Sequence, residues 1–297
     1  MTRPVGLQQR IATALVLLLA VLLVLFLLPP AATLVVVVAS IGAGAWEWSA
    51  FLGVPERMTR WRRAAYVALV LAVLAALVGW AQDSKTLFFV MAIAAHWWLI
   101  AFLWIVLAPA RGGPRTTAIA GVLTLAPLGL ALGALRGVEV LQVWQLLFVL
   151  LVIMAADVGA YFAGHAFGRT KLAPQVSPGK SWEGVFGGLL VAGSIAAWGA
   201  GQFGWPLWHI VLLALGAVAF SIVGDLTESL MKRHSGLKDS GHLLPGHGGV
   251  LDRLDSLAAG VPILLLGLLQ GGWVAADGWQ SVVEWSVAAL GGSAGLP

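Results

Sequence analysis

The stretch TLFFVMAIAAHWWLIAFLWIVLA, residues 86–108, decides the fold, because it contains no Lys, Arg, Asp or Glu. A core helix of a soluble protein needs only one apolar face, whereas this run is apolar all round. As a helix it would be about 35 Å long, enough to cross the roughly 30 Å hydrocarbon core of a bilayer. Working outward, comparable runs recur at 11–28, 31–53, 64–80, 117–135, 140–163, 184–202, 207–224 and 255–273, giving nine expected spans. The first follows Arg3 and Arg10 as a signal peptide would. No A-x-A-like cleavage site follows it, so it is read as a span. A last apolar stretch, 279–290, contains Glu284 and is too short to cross. The 297 residues are 60% hydrophobic and 10% charged, against about 25% charged in ordinary soluble chains. The expectation is an all-α polytopic membrane protein of about nine transmembrane helices, forming a single domain over 1–297. The absence of cysteine excludes disulfides and thiolate metal sites.

The basic residues orient this bundle. With the N-terminus in the cytoplasm, fifteen of the 17 Lys and Arg fall on the cytoplasmic side, and only Lys85 and Arg136 fall outside. That asymmetry is what the positive-inside rule predicts. The net charge of +4 therefore points to anionic headgroups beside membrane-flanking loops and not to nucleic acid. The C-terminus is then outside, and a bacterial inner membrane is the expected location.

Two cytoplasmic loops are unlike the rest. One is DVGAYFAGHAFGRTKLAPQVSPGKSWEG, Asp157–Gly184; the other begins at Gly224 and includes KRHSGLKDSGHLLPGHGGVLDRLDS, Lys232–Ser256. GKS at Gly179–Ser181 resembles part of a phosphate loop, but position 174 is Pro where that motif needs Gly, and no strand is expected before it. Asp225 and Glu228 stand three apart; if their helix continues, they share a face with Ser229 and Lys232. Asp252 and Asp255, also three apart, lead into the ninth span. Such carboxylates, close to Lys232, Arg233, Lys238 and Arg253, suit Mg²⁺ together with a polyphosphate, since Mg²⁺ takes few protein carboxylates plus phosphate oxygens. His234, His242 and His247 lack helical zinc spacing; His247, in PGHGG, sits where an imidazole and backbone N–H groups suit phosphate. His96, His165 and His209 read as structural. Asp157 opens the first polar loop and is a candidate to line the site. Glu47, between Trp46 and Trp48, reads as reaching the headgroups from an interfacial aromatic belt.

The ordered polar positions carry a resemblance. SLMKRHSGLKDSGHLLPGHGGVLDRLD resembles the signature of the phosphatidate cytidylyltransferases, through Ser229, Lys232-Arg233, Lys238-Asp239, Pro245, His247-Gly248-Gly249, Asp252-Arg253 and Asp255. GDLTES and AYFAGHAFGRTKLAPQVSPGKSWEG are also similar to that family, so the motifs lie within 157–273. The resemblance implies transfer of CMP from CTP to phosphatidate, giving CDP-diacylglycerol and pyrophosphate. It implies metal binding by Asp225, Asp252 and Asp255, with Mg²⁺ and room for a second cation. It implies that Lys232, Arg233, Lys238, Asp239, His247 and Arg253 form the catalytic, phosphate-holding set. Ser177, Lys180, Ser229, Gly248 and Gly249 would border the substrates. Expected partners are CTP, phosphatidate and membrane lipids, with a second copy of the chain as a further candidate. A transporter is the rival class, but it would place its site near the midplane between paired repeats. A scaffold would leave the clustered acids and glycines unexplained.

The charge asymmetry yields a direct test. Single cysteines at positions 170 and 240 are expected to be shielded from an impermeant thiol reagent in intact cells, and cysteines at 204 or 280 to be labelled. Labelling of position 240 from outside would reverse the orientation.

Overall fold

The computed structural model describes residues 7–53, 59–237, 240–241, 248–275 and 277–290. They form α1 (Leu7–Phe26), α2 (Pro30–Trp48), α3 (Arg60–Trp80), α4 (Ser84–Leu107) and α5 (Pro114–Leu135). α6 (Val140–Phe167), α7 (Trp182–Phe203), α8 (Leu207–His234), α9 (Leu251–Gln270) and α10 (Gly278–Leu290) follow. A 3-10 turn, Ser49–Leu52, extends α2. Between α6 and α7, strands β1 (Lys171–Ala173) and β2 (Ser177–Ser181) pair antiparallel. The expectation of an all-α polytopic protein thus holds but for one small hairpin. The hairpin also corrects the reading of the GKS stretch: a strand does precede it, and Gly179–Ser181 are themselves part of β2. Seven helices, α2 with its turn and α3 to α8, are long and apolar enough to cross a membrane among the described residues.

Local chemistry sets the helix ends. Asp83 caps α4 by accepting from the backbone N–H groups of Lys85 and Thr86 at 2.9 and 3.0 Å. The Thr86 side-chain hydrogen bond and these N–H groups hold the Asp83 carboxyl below its usual range. Ser181 closes β2 and caps α7, its Oγ accepting from Gly184 N at 3.2 Å. Pro30 and Pro114 open α2 and α5 at positions where the missing N–H is no loss.

The bundle is apolar outside as well as inside. Leu99, Ile100, Leu103, Val106 and Leu107 of α4 face outward, while Trp48, Trp98 and Phe148 are fully enclosed. α5 is the most enclosed spanning helix. Aromatic donors from its neighbours fix it: Trp48 Nε1 donates to Thr117 O at 2.8 Å, and the Tyr66 hydroxyl donates to Ala118 O at 2.9 Å. α10, about 20 Å long by its thirteen residues, is shorter than a bilayer core. Its Trp279 lies over Gly133 and donates to Leu130 O at 3.1 Å.

α6 and α8 each run 28 residues, about 42 Å, so each exceeds the hydrocarbon thickness and carries a polar end beyond its apolar run. α8 in particular continues ten residues past the expected end of its span at 224. Glycines bring these helices close to their partners. On α7, a Cβ at Gly184 or Gly188 would come 2.9 or 2.8 Å from the carbonyls of Ala160 or Ala156 on α6. Gly224 of α8 lies against the backbone carbonyl of Asp255 on α9. Small residues at such seams let backbones approach where lipid gives no hydrophobic drive for association.

Gly188→Val is therefore expected to lower thermal stability in detergent by about 1–3 kcal/mol or more. Gly201→Ala, where the added carbon meets nothing within 4 Å, is the control that keeps its melting temperature. Equal melting of Gly188→Val and wild type would remove the seam from the account.

Candidate active site

The continued α8 settles the face left conditional in the sequence. Asp225, Glu228, Ser229 and Lys232 line one side of its polar end: Ser229 Oγ donates to Asp225 Oδ1 at 3.3 Å, and Lys232 Nζ lies 3.3 Å from Glu228 Oε2. α9 enters beside it. Lys232 Nζ donates to Asp252 Oδ1 at 2.8 Å, so one ammonium joins the two helices. From the hairpin, Lys180 Nζ reaches Asp225 Oδ2 at 2.6 Å. Glu183, in the first turn of α7, holds the base of that hairpin by accepting from Thr170 N at 3.0 and 3.2 Å. Asp157 on α6 accepts from Ser256 Oγ at 3.3 Å and completes the circle. The charges of Asp225, Glu228 and Asp157 all bear on Asp255. Four helices and one hairpin thus meet at one end of the bundle.

The expected residues separate into three groups. Asp225, Lys180, Ser229, Lys232, Asp252 and Asp255 are brought together. Arg233 and Arg253 are exposed near the same end, and Ser177 lies half-buried on β2. His234 turns away to the α4–α5 connection, where its Nε2 is 2.6 Å from Pro109 O. Lys238, Asp239 and His247 lie outside the described residues. Gly248 adopts φ +77, a conformation that favours glycine, and a Cβ there would collide with the Asp252 carboxylate. Gly249 N donates to Asp252 Oδ2 at 2.7 Å, and Ser240 Oγ donates to the same oxygen at 2.8 Å. Asp252 therefore accepts on both oxygens, two donors on Oδ2 and one on Oδ1, and the second lone pair of Oδ1 is the one these contacts leave for a metal.

Glu47 departs from its reading as a headgroup contact. It is 3% exposed, and its Oε2 accepts from Leu251 N at 2.8 Å. The only sequence signal for this was an acid inside an apolar span, which marks a functional candidate in general but names no partner.

The electrostatics limit the chemistry. Among the described residues, Lys180 and Lys232 pair directly with Asp225, Glu228 and Asp252, and the charge of Arg253 also acts on Asp157. Glu228 is almost wholly buried, with the Asp255 carboxyl beside it; among the described residues neither of its oxygens meets an aligned donor, and Lys232 is near enough only for attraction. Orphan oxygens beside Asp225 and Asp255 are chemically suited to a hard cation. Among the described residues no three His, Cys, Asp or Glu side chains are arranged to hold a metal ion unaided.

Fold and site together define a polytopic membrane protein with a cluster of charged side chains at one end of its helices. The cytidylyltransferase family matches residues 8–269, and the chain belongs to that family. It is 43% identical over 279 residues to the phosphatidate cytidylyltransferase of Pseudomonas aeruginosa, covering 90% of this chain and 98% of that protein. It is 37% identical over 278 residues to the phosphatidate cytidylyltransferase of Haemophilus influenzae, covering 86% and 96%. A phosphatidate cytidylyltransferase of Brucella suis is 44% identical over 164 residues, 52% of this chain and 57% of that one.

The bridging ammonium can be tested by a double-mutant cycle. Lys232→Ala leaves Glu228 and Asp252 without their shared cation, and breaking such a buried pair costs about 3–5 kcal/mol. Adding Glu228→Gln is expected to recover part of that loss in a thermal or denaturant unfolding experiment. Strictly additive losses would show that the two groups do not interact.

Proposed function

We propose that this chain transfers CMP from CTP to phosphatidate, releasing pyrophosphate and leaving CDP-diacylglycerol in the membrane. The observation that carries this reading is the junction of the Lys180–Asp225 and Lys232–Asp252 pairs at one end of apolar helices. A water-soluble triphosphate and a lipid headgroup can meet at such a boundary while the acyl chains stay in lipid. Family membership and the names of the full-length relatives narrow the anions to these two. The cluster lies at one end rather than at mid-depth, which favours a transferase over a transporter.

In this reading a phosphate oxygen of phosphatidate attacks the α-phosphorus of CTP in line, and the bond to the pyrophosphate leaving group breaks. No covalent protein intermediate is required. Asp225 and Asp255 would hold Mg²⁺, with Asp252 joining them through the second lone pair of Oδ1. The metal would neutralise charge on the phosphates and on the departing pyrophosphate. Lys232, Arg233 and Arg253 would position phosphate oxygens, with Lys238 and His247 in the roles the resemblance implies. Lys180 would compete for Asp225 and turn toward a phosphate once the metal is bound. One chain contains all the residues of the cluster, so the reading does not depend on a second copy.

The same proposal includes nine crossings, with α1 and α9 added to the seven. Each has 20 residues, about 30 Å. α9 combines a charged first turn with an otherwise apolar run. The distribution of Lys and Arg supports a cytoplasmic N-terminus and a cytoplasm-facing site, and bacterial relatives support the inner membrane.

The test uses purified protein in lipid-containing micelles with CTP, phosphatidate and Mg²⁺. CDP-diacylglycerol and pyrophosphate are expected in equal amounts, with turnover lost on chelation and restored by Mg²⁺. Asp225→Asn and Asp255→Asn are expected to fold and to lose turnover, since an amide keeps the shape without the charge a hard cation needs. Absence of product from folded wild type would overturn the reaction. Full activity of either variant across a Mg²⁺ titration would remove that carboxylate from the metal set.

A further inference from the structure

Glu47 is separated in sequence from every motif of the site, yet its carboxylate stands where the second polar loop returns to α9. α9 has no capping side chain of its own, and Val250 occupies its N-cap position. The first N–H groups of a helix lack intrahelical acceptors, and a negative group there is favoured by both hydrogen bonding and the helix dipole. Glu47 Oε2 fills that role from α2, accepting from Leu251 N at 2.8 Å across 204 residues of sequence.

The same carboxylate touches the chain on both sides of residues 242–247. A Cβ on Gly241 would collide with Glu47 Oε1, and a Cβ on Gly249 would collide with Glu47 Oε2 and Ser240 Oγ. Glycine at these positions lets the backbone press directly against the acid. Ser240 Oγ lies 3.4 Å from Glu47 Oε2 and 2.8 Å from Asp252 Oδ2. A hydroxyl has one proton to donate, and the shorter contact assigns it to Asp252. Asp252 in turn holds Lys232 at 2.8 Å. Connections therefore run from α2 through the loop to Asp252 on α9 and Lys232 on α8.

We propose that Glu47 is a positioning residue for the transfer reaction: it caps α9 from α2 and fixes the Ser240–Gly241 and Gly248–Leu251 backbone, so that Asp252 and Lys232 are held in register. The inference rests on the transferase reading for the reaction that is served. The anchoring itself rests on geometry alone. Glu47 acts through backbone and through Asp252, and it need not touch either substrate.

The experiment combines steady-state kinetics with hydrogen–deuterium exchange on full-length wild type, Glu47→Ala and Glu47→Gln in the same micelles. Gln keeps an acceptor oxygen for Leu251 N and places its amide nitrogen at Oε1, which has no hydrogen-bond partner among the described residues. Ala removes the cap entirely. Expected for Glu47→Ala is a fall in kcat/KM on the order of tenfold or more, with faster exchange confined to residues 248–256 and unchanged protection in α4. Glu47→Gln is expected to restore much of both. The proposal is overturned by wild-type kinetics and exchange in folded Glu47→Ala, or by exchange that rises uniformly through the bundle. Failure of both variants to fold also overturns it, by making Glu47 a general folding residue. An inactive wild type would instead defeat the transferase reading, and the exchange comparison would still decide whether Glu47 anchors the loop.

Discussion

Lys232 lies between two carboxylates that belong to different helices, and the architecture of the polar end follows from that placement. Glu228 is one turn earlier on α8, and Asp252 is in the first turn of α9. Removing ions from water costs several kcal/mol each, and the cost is offset only when geometry is good and the remaining lone pairs find donors. Asp252 meets that condition, with Lys232 on one oxygen and Ser240 and Gly249 on the other. Glu228 does not. The ends of α8 and α9 are thereby joined into one unit that keeps an under-neutralised carboxylate inside it. An under-neutralised carboxylate is unfavourable in a resting structure, and in the proposed reaction it would favour the arrival of a cation with the substrate.

Close backbone approach makes that junction possible. Lipid tails are as apolar as leucine, so helices in a bilayer associate through packing and hydrogen bonds. Gly224 brings α8 against the Asp255 carbonyl, and Gly184 and Gly188 do the same for α7 against α6. Because α7 is fixed to α6, the hairpin between them is held at the bundle end, within reach of Asp225 for Lys180. Packing in the apolar part of the molecule thus sets distances among the charges at its polar end. The two 28-residue helices exceed the hydrocarbon thickness, so their last turns can be polar without leaving the bundle.

Much of this was legible from the chain alone, for local reasons. An uncharged run such as 86–108 has a transfer free energy that belongs to the segment, and backbone groups in lipid must be satisfied within it. The apolar runs were therefore readable as helices, although α8 continues ten residues past the expected end of its span. The face formed by Asp225, Glu228, Ser229 and Lys232 followed from the 3.6-residue period once α8 continued. The ordered polar positions of the second loop also pointed to the family that the whole-chain comparison supports.

Only the tertiary structure decided which of these groups meet. Lys180 pairs with Asp225 across 45 residues, and Glu47 accepts from Leu251 across 204. Neither partner is encoded in the spacing or hydropathy of its own segment. Glu47 shows the difference most clearly, since an acid between two tryptophans at a span end fits an interfacial belt as well as a buried cap. The two outcomes differ in whether another helix N-terminus arrives there, and that depends on the packing of α2 against α9. The resemblance likewise implied a metal role for Asp252 but not the contacts that the fold gives it, from Lys232, Ser240 and Gly249. Sequence determined the apolar helical character of the chain and the chemical inventory of the polar end, because hydrogen bonding and burial within a helix are local. The pairings required tertiary structure, because a carboxylate's partner is set by which backbones can approach it.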